Sequence, residues 1–145
     1  MKKIDTINIK NLHSYYLEIP SSIDRLSTVD LFLEKIQKIH RINEETFIKM
    51  DVILNEAVNN AIIHGNKLEP NKRVTINIDI SNKDITIKIT DEGLGFNPAY
   101  ILQESFDENI HTIKERGLFI IKKLSSNLSF NKLGNAIIIS INNDT

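Results

Sequence analysis

Near the middle of the chain the spacing of hydrophobic residues changes from helical to alternating, and this change constrains the possible folds most strongly. Between Ile23 and Ile39 apolar residues recur at steps of three and four, which predicts an amphipathic helix. Between Val74 and Ile89 they alternate with polar residues on either side of a short polar turn, which predicts a β-hairpin with one buried face. Since a helix stripe and a sheet face must each be covered, we expect the helices to pack on the sheet.

Further strands and helices are predicted on both sides of this hairpin. Strands are predicted within 4–20, ended by Pro20, and at 128–131 and 136–141. Helices are predicted at about 22–40, 44–64 and 117–124. Ser21 or Ser22 can cap the first helix, and Gly65 stands where the second would end in a left-handed cap. The element order predicts an α/β two-layer sandwich, with helices on one face of a mixed, mostly antiparallel sheet.

Composition excludes several classes of protein. The 145 residues fit one domain over 1–145. The absence of cysteine excludes disulfide bonds, thiolate zinc sites, iron–sulfur clusters and a cysteine nucleophile. A formal net charge of -1 argues against a general nucleic-acid binder. Because the sequence shows neither an apolar run of membrane-spanning length nor a signal-peptide core, we expect a cytoplasmic protein without a membrane partner.

The predicted second helix carries three polar residues on one face. Glu56, Asn60 and His64 are spaced by four residues in a helix that is apolar over most of its circumference. Burying a carboxylate, an amide and an imidazole costs free energy unless they meet water, a metal or a ligand. A solvated stripe on an exposed edge is the plain structural interpretation, and a ligand site is the functional one.

A second polar cluster, Asp91-Glu92-Gly93-Leu94-Gly95-Phe96, follows the hairpin directly. Gly93 and Gly95 allow a ligand to approach the backbone, and Asp91 can accept a hydrogen bond inside a cavity. A tight turn with an incidental acid is the alternative. The pattern is not a dinucleotide-binding fingerprint, because no helix follows at once and the third glycine is missing. The sequence also has no phosphate loop of the Gly-Lys-Ser/Thr type.

A third cluster, Lys114-Glu115-Arg116-Gly117, precedes a run of apolar residues that begins at Leu118. We expect Gly117 to open the helix, so that unpaired backbone N–H groups and a positive dipole end are offered to phosphate. Lys114 and Arg116 add positive charge at this position. A helix start that carries basic residues by chance is equally compatible with the segment alone.

The order and spacing of the three clusters resemble the GHKL ATPase superfamily and, within it, the bacterial anti-sigma factor serine-protein kinases. The resemblance runs from about Tyr15 to Ile141, and Asn55–Gly65 is very similar to that family's first motif. It implies the Bergerat fold, also called the histidine kinase-like ATPase fold, with ATP and Mg²⁺ as cofactors. It also implies that residues 97–115 form an ATP lid.

The resemblance implies a role for each matched residue. Glu56 matches the catalytic carboxylate, Asn60 the amide that holds Mg²⁺ against the phosphates, and Asp91 the acid that binds the adenine amino group. The implied nucleotide contacts are Asn60, His64, Asp91, Gly93, Gly95, Arg116, Gly117 and Leu118.

One departure from the family pattern is Glu115, which stands where the third motif usually has its first glycine. A carboxylate there repels phosphate unless Lys114, Arg116 or Mg²⁺ compensates. The resemblance implies a serine/threonine protein kinase that phosphorylates a serine of an anti-anti-sigma (STAS-like) partner, sequesters a sigma factor and forms a homodimer. Because of Glu115, an alternative function is a catalytically weak nucleotide-binding regulator that acts by protein sequestration. A stand-alone histidine-kinase-type ATPase module is the other alternative.

Overall fold

The computed structural model describes residues 12–145, so the part of the first predicted strand segment at 4–11 lies outside the described residues. Five strands form one sheet: β1 (His13–Pro20), β2 (Arg73–Ile80), β3 (Asp84–Thr90), β4 (Asn127–Phe130) and β5 (Ala136–Asn142). Three α-helices accompany it: α1 (Leu26–His40), α2 (Glu44–Asn60) and α3 (Ile113–Leu124). The predicted hairpin and the two predicted C-terminal strands are confirmed to within a few residues.

The strands lie in the order β1-β2-β3-β5-β4. One row of paired residues crosses the whole sheet, from Tyr15 through Ile78, Ile87 and Ile139 to Leu128. Every pairing is antiparallel, so the parallel component of the predicted mixed sheet is absent from residues 12–145. Tight turns can join antiparallel neighbours, as they do between β2 and β3 and between β4 and β5.

The buried face of the sheet consists mainly of isoleucine. Ile76 and Ile78 of β2, Ile85 and Ile87 of β3, and Ile139 of β5 are completely inaccessible to solvent. Helices α1 and α2 supply the other layer of this core with their own buried aliphatic residues. Each fully buried isoleucine contributes about 1.5–3 kcal/mol to the stability of the fold. The sheet and the helices form two layers around this core, which confirms the two-layer sandwich predicted from the alternating pattern. None of the helices described in 12–145 is both long and apolar enough to cross a membrane.

Helix α2 begins at Glu44, as predicted, but its α-helical part ends at Asn60 instead of His64. Asn43 caps its start, where the side chain accepts a hydrogen bond from the Thr46 N–H at 2.8 Å. After Asn60 the helix widens into one π turn, Ala61–Gly65. The prediction of Gly65 as a left-handed cap is wrong, because the positive φ values nearby belong to Lys67 and Leu68.

Helix α3 begins one turn earlier than predicted. Thr112 and Glu115 form a capping box: the Thr112 side chain accepts from the Glu115 N–H, and the Glu115 carboxylate accepts from the Thr112 N–H. The Arg116 N–H donates to the Thr112 carbonyl at 3.0 Å. The expectation that Gly117 opens the helix is therefore wrong, because Gly117 lies in its second turn. A capping box satisfies two helix-end donors reciprocally and fixes the start of the helix.

The segment that precedes α3, predicted to be an irregular lid over 97–115, is folded in its middle. It contains two short 3₁₀ helices, Ala99–Leu102 and Glu104–Glu108. Ile101 and Phe106 are buried in the main core, and the Asp107 carboxylate lies 3.5 and 2.9 Å from the ammonium groups of two lysines of α3. The segment is therefore anchored on α3, and residues 113–115 belong to that helix.

Candidate functional site

A cavity of about 210 Å³ lies where four elements meet. They are the last residues of α2 and β3 and the first residues of β5 and α3. That volume is many times the roughly 15 Å³ that one water molecule requires. Its wall is more apolar than polar, and its polar groups are few, as is typical of small-molecule sites. The structure brings five of the predicted site residues together on this wall: Asn60, His64, Asp91, Gly95 and Leu118.

Asp91 is fixed at the end of β3 by contacts on both its main chain and its side chain. Its N–H donates to the Asn135 carbonyl, and its carbonyl accepts from the Asn135 side-chain amide, both at 2.9 Å. Its carboxylate Oδ1 accepts from the Gly93 N–H at 2.8 Å. Burial raises the pKa of Asp91, and the Gly93 hydrogen bond and the Lys114 charge oppose this increase. The second carboxylate oxygen, Oδ2, faces Gly65.

Gly65 and Gly93 allow the close packing around this carboxylate. A methyl group added at Gly65 would overlap the Asp91 carboxylate, and one added at Gly93 would overlap the Gly65 carbonyl. The physical reason for glycine at position 65 is therefore the approach of Asp91 and not a left-handed backbone. Gly95 has φ +79 and packs its backbone on the Leu133 carbonyl, which closes the same loop against the β4–β5 turn.

Asn66 ties this loop to the end of α2 and was not predicted as a site residue. It is completely buried, and its Oδ1 accepts from the Glu92 N–H at 2.7 Å. Its amide nitrogen donates to Ser21 Oγ at 2.7 Å and to the Arg73 carbonyl at 2.9 Å. Ser21 and Glu92 are distant from Asn66 in sequence, so no local pattern signals the role of Asn66.

Glu56 and Asn60, on successive turns of α2, both lie beside Gly117 of α3. An ideal Cβ built at Gly117 would lie 3.3 Å from Glu56 Oε1 and 3.5 Å from Asn60 Nδ2. The Asn60 Nδ2 atom is buried and has no hydrogen-bond partner in the described part of the chain. A buried donor without a partner costs about 1–3 kcal/mol, and a ligand that bonds to this amide would remove that cost.

Three cationic or imidazole side chains also line the cavity: His64, Lys67 and Lys114. The Lys114 ammonium lies 3.8 Å from the centre of the Phe96 ring, in a cation–π contact. Burial lowers the pKa of Lys114, and burial followed by the charges of Lys114 and Lys67 lowers the pKa of His64. The sequence shows Lys114 and Phe96 only as residues of separate clusters, and their contact depends on the tertiary fold.

The remaining predicted residues lie beside the cavity or away from it. Glu56, Gly93 and Gly117 are neighbours of its wall and not part of it. Arg116 is exposed. The Glu115 carboxylate accepts N–H groups of His111 and Thr112 at 3.0 and 3.1 Å, and these bonds lower its pKa. Its charge is thus directed at the helix start and not into the cavity.

Comparison with known proteins agrees with this arrangement. Residues 19–141 match the model of the histidine kinase-like ATPase domain, and the chain belongs to this family. The resemblance inferred from the three clusters is confirmed at this level, and membership of the family implies ATP binding. The chain is also similar to the anti-sigma F factor of Shouchella clausii (strain KSM-K16), with 38% identity over 53 residues. The matched region is 37% of this chain and 36% of that relative, so it spans about a third of each.

The packing around Asp91 gives a prediction about Gly65. We expect Gly65→Ala to lower the free energy of unfolding by about 1–3 kcal/mol, because its methyl group overpacks a site bounded by backbone and a fixed carboxylate. Urea denaturation followed by circular dichroism measures this change. Gly117→Ala is the matched control, since its methyl group would meet only the flexible ends of Glu56 and Asn60. Equal losses in both variants would contradict the packing described for Gly65.

Proposed function

We propose that this protein is an ATP-dependent serine/threonine protein kinase of the anti-sigma type. It phosphorylates a serine of an anti-anti-sigma (STAS-like) partner and sequesters a sigma factor, as a cytoplasmic homodimer. The observation that carries this proposal is the position of Glu56 and Asn60 on successive turns of α2, beside Gly117 and next to the cavity that contains Asp91. The partners rest on the similarity to the anti-sigma F factor.

Asp91 recognises the adenine base in this proposal. Its Oδ1 is already engaged by the Gly93 N–H, which leaves Oδ2 to accept from an exocyclic amino group. Apolar wall residues such as Ile89 and Ile137 lie in the same cavity and suit a flat aromatic ring. Since a buried carboxylate needs donors, the pairing with an amino group also offsets the burial that raises the pKa of Asp91.

Asn60 holds Mg²⁺ in this proposal. The donor set fits, because the unsatisfied amide of Asn60 can present its oxygen to a hard cation once the amide is turned. Within 12–145 no three histidine, cysteine, aspartate or glutamate side chains are grouped to hold a metal ion. An ion bound at Asn60 therefore depends on nucleotide phosphates for further ligands, as is usual for Mg²⁺. When bound, it neutralises phosphate charge.

Glu56 is the general base of the proposed reaction. It accepts the proton of the partner's serine hydroxyl, whose oxygen displaces ADP from the γ-phosphorus of ATP. ADP leaves with the electron pair of the broken bond between phosphorus and the bridging oxygen. Phosphoryl transfer consists largely of positioning and charge neutralisation, and one base, one amide and the cationic groups of the cavity provide both.

A catalytically weak nucleotide-binding regulator is the second candidate, and the capping box favours it. Because α3 begins at Ile113, the N–H groups of Gly117 and Leu118 lie inside the helix and are not free at its first turn. Glu115 holds the helix in this state. A regulator of this type would bind ATP and a partner without phosphoryl transfer.

We expect Glu56→Gln to keep ADP affinity and to reduce phosphoryl transfer about 100-fold or more, the usual contribution of a general base. The assay incubates the protein with radiolabelled ATP and a candidate STAS-domain protein. Glu45→Gln, an exposed carboxylate on the same helix, is the control. Transfer at an equal rate in Glu56→Gln would remove Glu56 from the mechanism. Binding without transfer in the wild type would select the regulator, and acid-labile phosphohistidine would select the histidine-kinase-type module.

The magnesium proposal predicts the behaviour of Asn60→Ala. We expect this variant to lose the part of ATP affinity that depends on Mg²⁺, because it removes the only side chain proposed to hold the ion. Calorimetric titration of ATP with Mg²⁺ and with a chelator measures that part. Asn59→Ala is the matched control, since Asn59 immediately precedes Asn60 in the same helix and does not line the cavity. Retention of full Mg²⁺ dependence in Asn60→Ala would exclude Asn60 as the ligand.

The Asp91 proposal predicts opposite changes in stability and affinity. Because the folded pKa of Asp91 is raised above its ordinary value near 3.8, stability is lost as pH rises from about 3.8 through the folded pKa. We therefore expect Asp91→Asn to be more stable than the wild type at neutral pH, with the difference vanishing in acid. We expect the same variant to bind ADP about 1–3 kcal/mol more weakly.

Urea denaturation at several pH values and calorimetric ADP titration measure the two effects of Asp91→Asn. Asp79→Asn, on the outer face of β2, controls for the loss of one charge. Unchanged ADP affinity in Asp91→Asn would contradict the assignment of Asp91 to the adenine base.

A further inference from the structure

Lys114 occupies an unusual position for a lysine. It lies in the first turn of α3 with its side chain turned into the cavity, where the ammonium lies 3.8 Å from the centre of the Phe96 ring. The side chain is only partly exposed. Lysine usually keeps its ammonium in water, so an ammonium held on an aromatic wall is maintained by specific partners.

The charges around Lys114 identify those partners. Asp91 on the same cavity wall attracts the ammonium, and Lys67 on that wall repels it. The neighbouring Glu115 is engaged by the N–H groups of His111 and Thr112. Burial lowers the pKa of Lys114, which shows that its charged form is held at a cost. The Phe96 ring is therefore the group that the ammonium contacts, and Asp91 and Glu115 attract it through their charges.

A nucleotide changes this balance in two ways. Its base amino group would donate to Asp91, which removes part of the attraction for the ammonium. Its phosphates offer anionic oxygens, and an ammonium–phosphate hydrogen bond is about twice as strong as a neutral one. Asn60, with its unpartnered amide, lies on the same wall as Lys114. The long lysine side chain can redirect its ammonium without movement of the helix.

We propose that Lys114 moves its ammonium from the Phe96 ring, on the cavity wall that also contains Asp91, to the phosphates of the bound nucleotide, and thereby sets the preference for nucleotides over nucleosides. This inference rests on the proposed function, because it takes the cavity as the nucleotide site. Arg116, the other cation of the third cluster, is exposed and does not line the cavity.

The test compares adenosine with ADP by calorimetric titration in magnesium-containing buffer. The variants are Lys114→Gln, Lys114→Arg and Lys88→Gln, the last being an exposed lysine on β3 outside the cavity. Thermal unfolding of each variant establishes that it is folded. The measured quantity is the ratio of the adenosine dissociation constant to the ADP dissociation constant.

We expect Lys114→Gln to reduce this ratio about tenfold, the effect of one charge-assisted hydrogen bond. The reduction comes from weaker ADP binding without weaker adenosine binding. Lys114→Arg retains the charge and should keep most of the preference, and Lys88→Gln should leave the ratio at the wild-type value. A wild-type ratio in Lys114→Gln, or an equal loss of affinity for both ligands, overturns the inference alone. Failure of the wild-type protein to bind either ligand overturns the proposed function as well.

Discussion

The half-buried carboxylate of Asp91 is the contact on which the rest of the site depends. It follows strand β3 directly, and the π turn after α2 and the loop at 92–96 approach it closely because Gly65 and Gly93 stand at the points of contact. Asn135 and Asn66 then fix the surrounding main chain from two other directions. A carboxylate held in this way is fixed by its partners and partly withdrawn from water. The isoleucine core of the sheet supplies the stability on which this arrangement rests.

The periodic parts of the sequence predicted the fold because burial there follows local spacing. The alternation in β2 and β3 and the helical steps of α1 each determine one buried face, whatever the rest of the chain does. The stacking of Glu56 and Asn60 follows from helical geometry alone and is present. The predicted start of α3 at Gly117 is one turn late, because the prediction relied on the glycine. The Thr112–Glu115 pair has the sequence spacing of a capping box and indicates the true start.

Other features of the site lie beyond local patterns. The role of Gly65 depends on a carboxylate 26 positions later, as the shared contact with Asp91 shows. Asn66 bonds to groups on three separate segments, and Lys114 contacts Phe96 from the far end of the segment that separates them. Such contacts are decided by topology, which single-sequence patterns do not encode. The sequence therefore indicated the three polar clusters, and the fold determined which of their members share one cavity.

The anchored middle of the segment 97–115 has a thermodynamic consequence for ligand affinity. Fixing the backbone of one residue costs roughly 1–2 kcal/mol of conformational entropy. In the segment that contains Ile101 and Phe106 this entropy is lost when the chain folds, because these side chains are buried in the core without any ligand. A ligand therefore does not have to order these residues. We therefore expect binding to cost less conformational entropy than the binding of a ligand that must fold an entire loop. The favourable enthalpy that offsets this cost should be smaller as well.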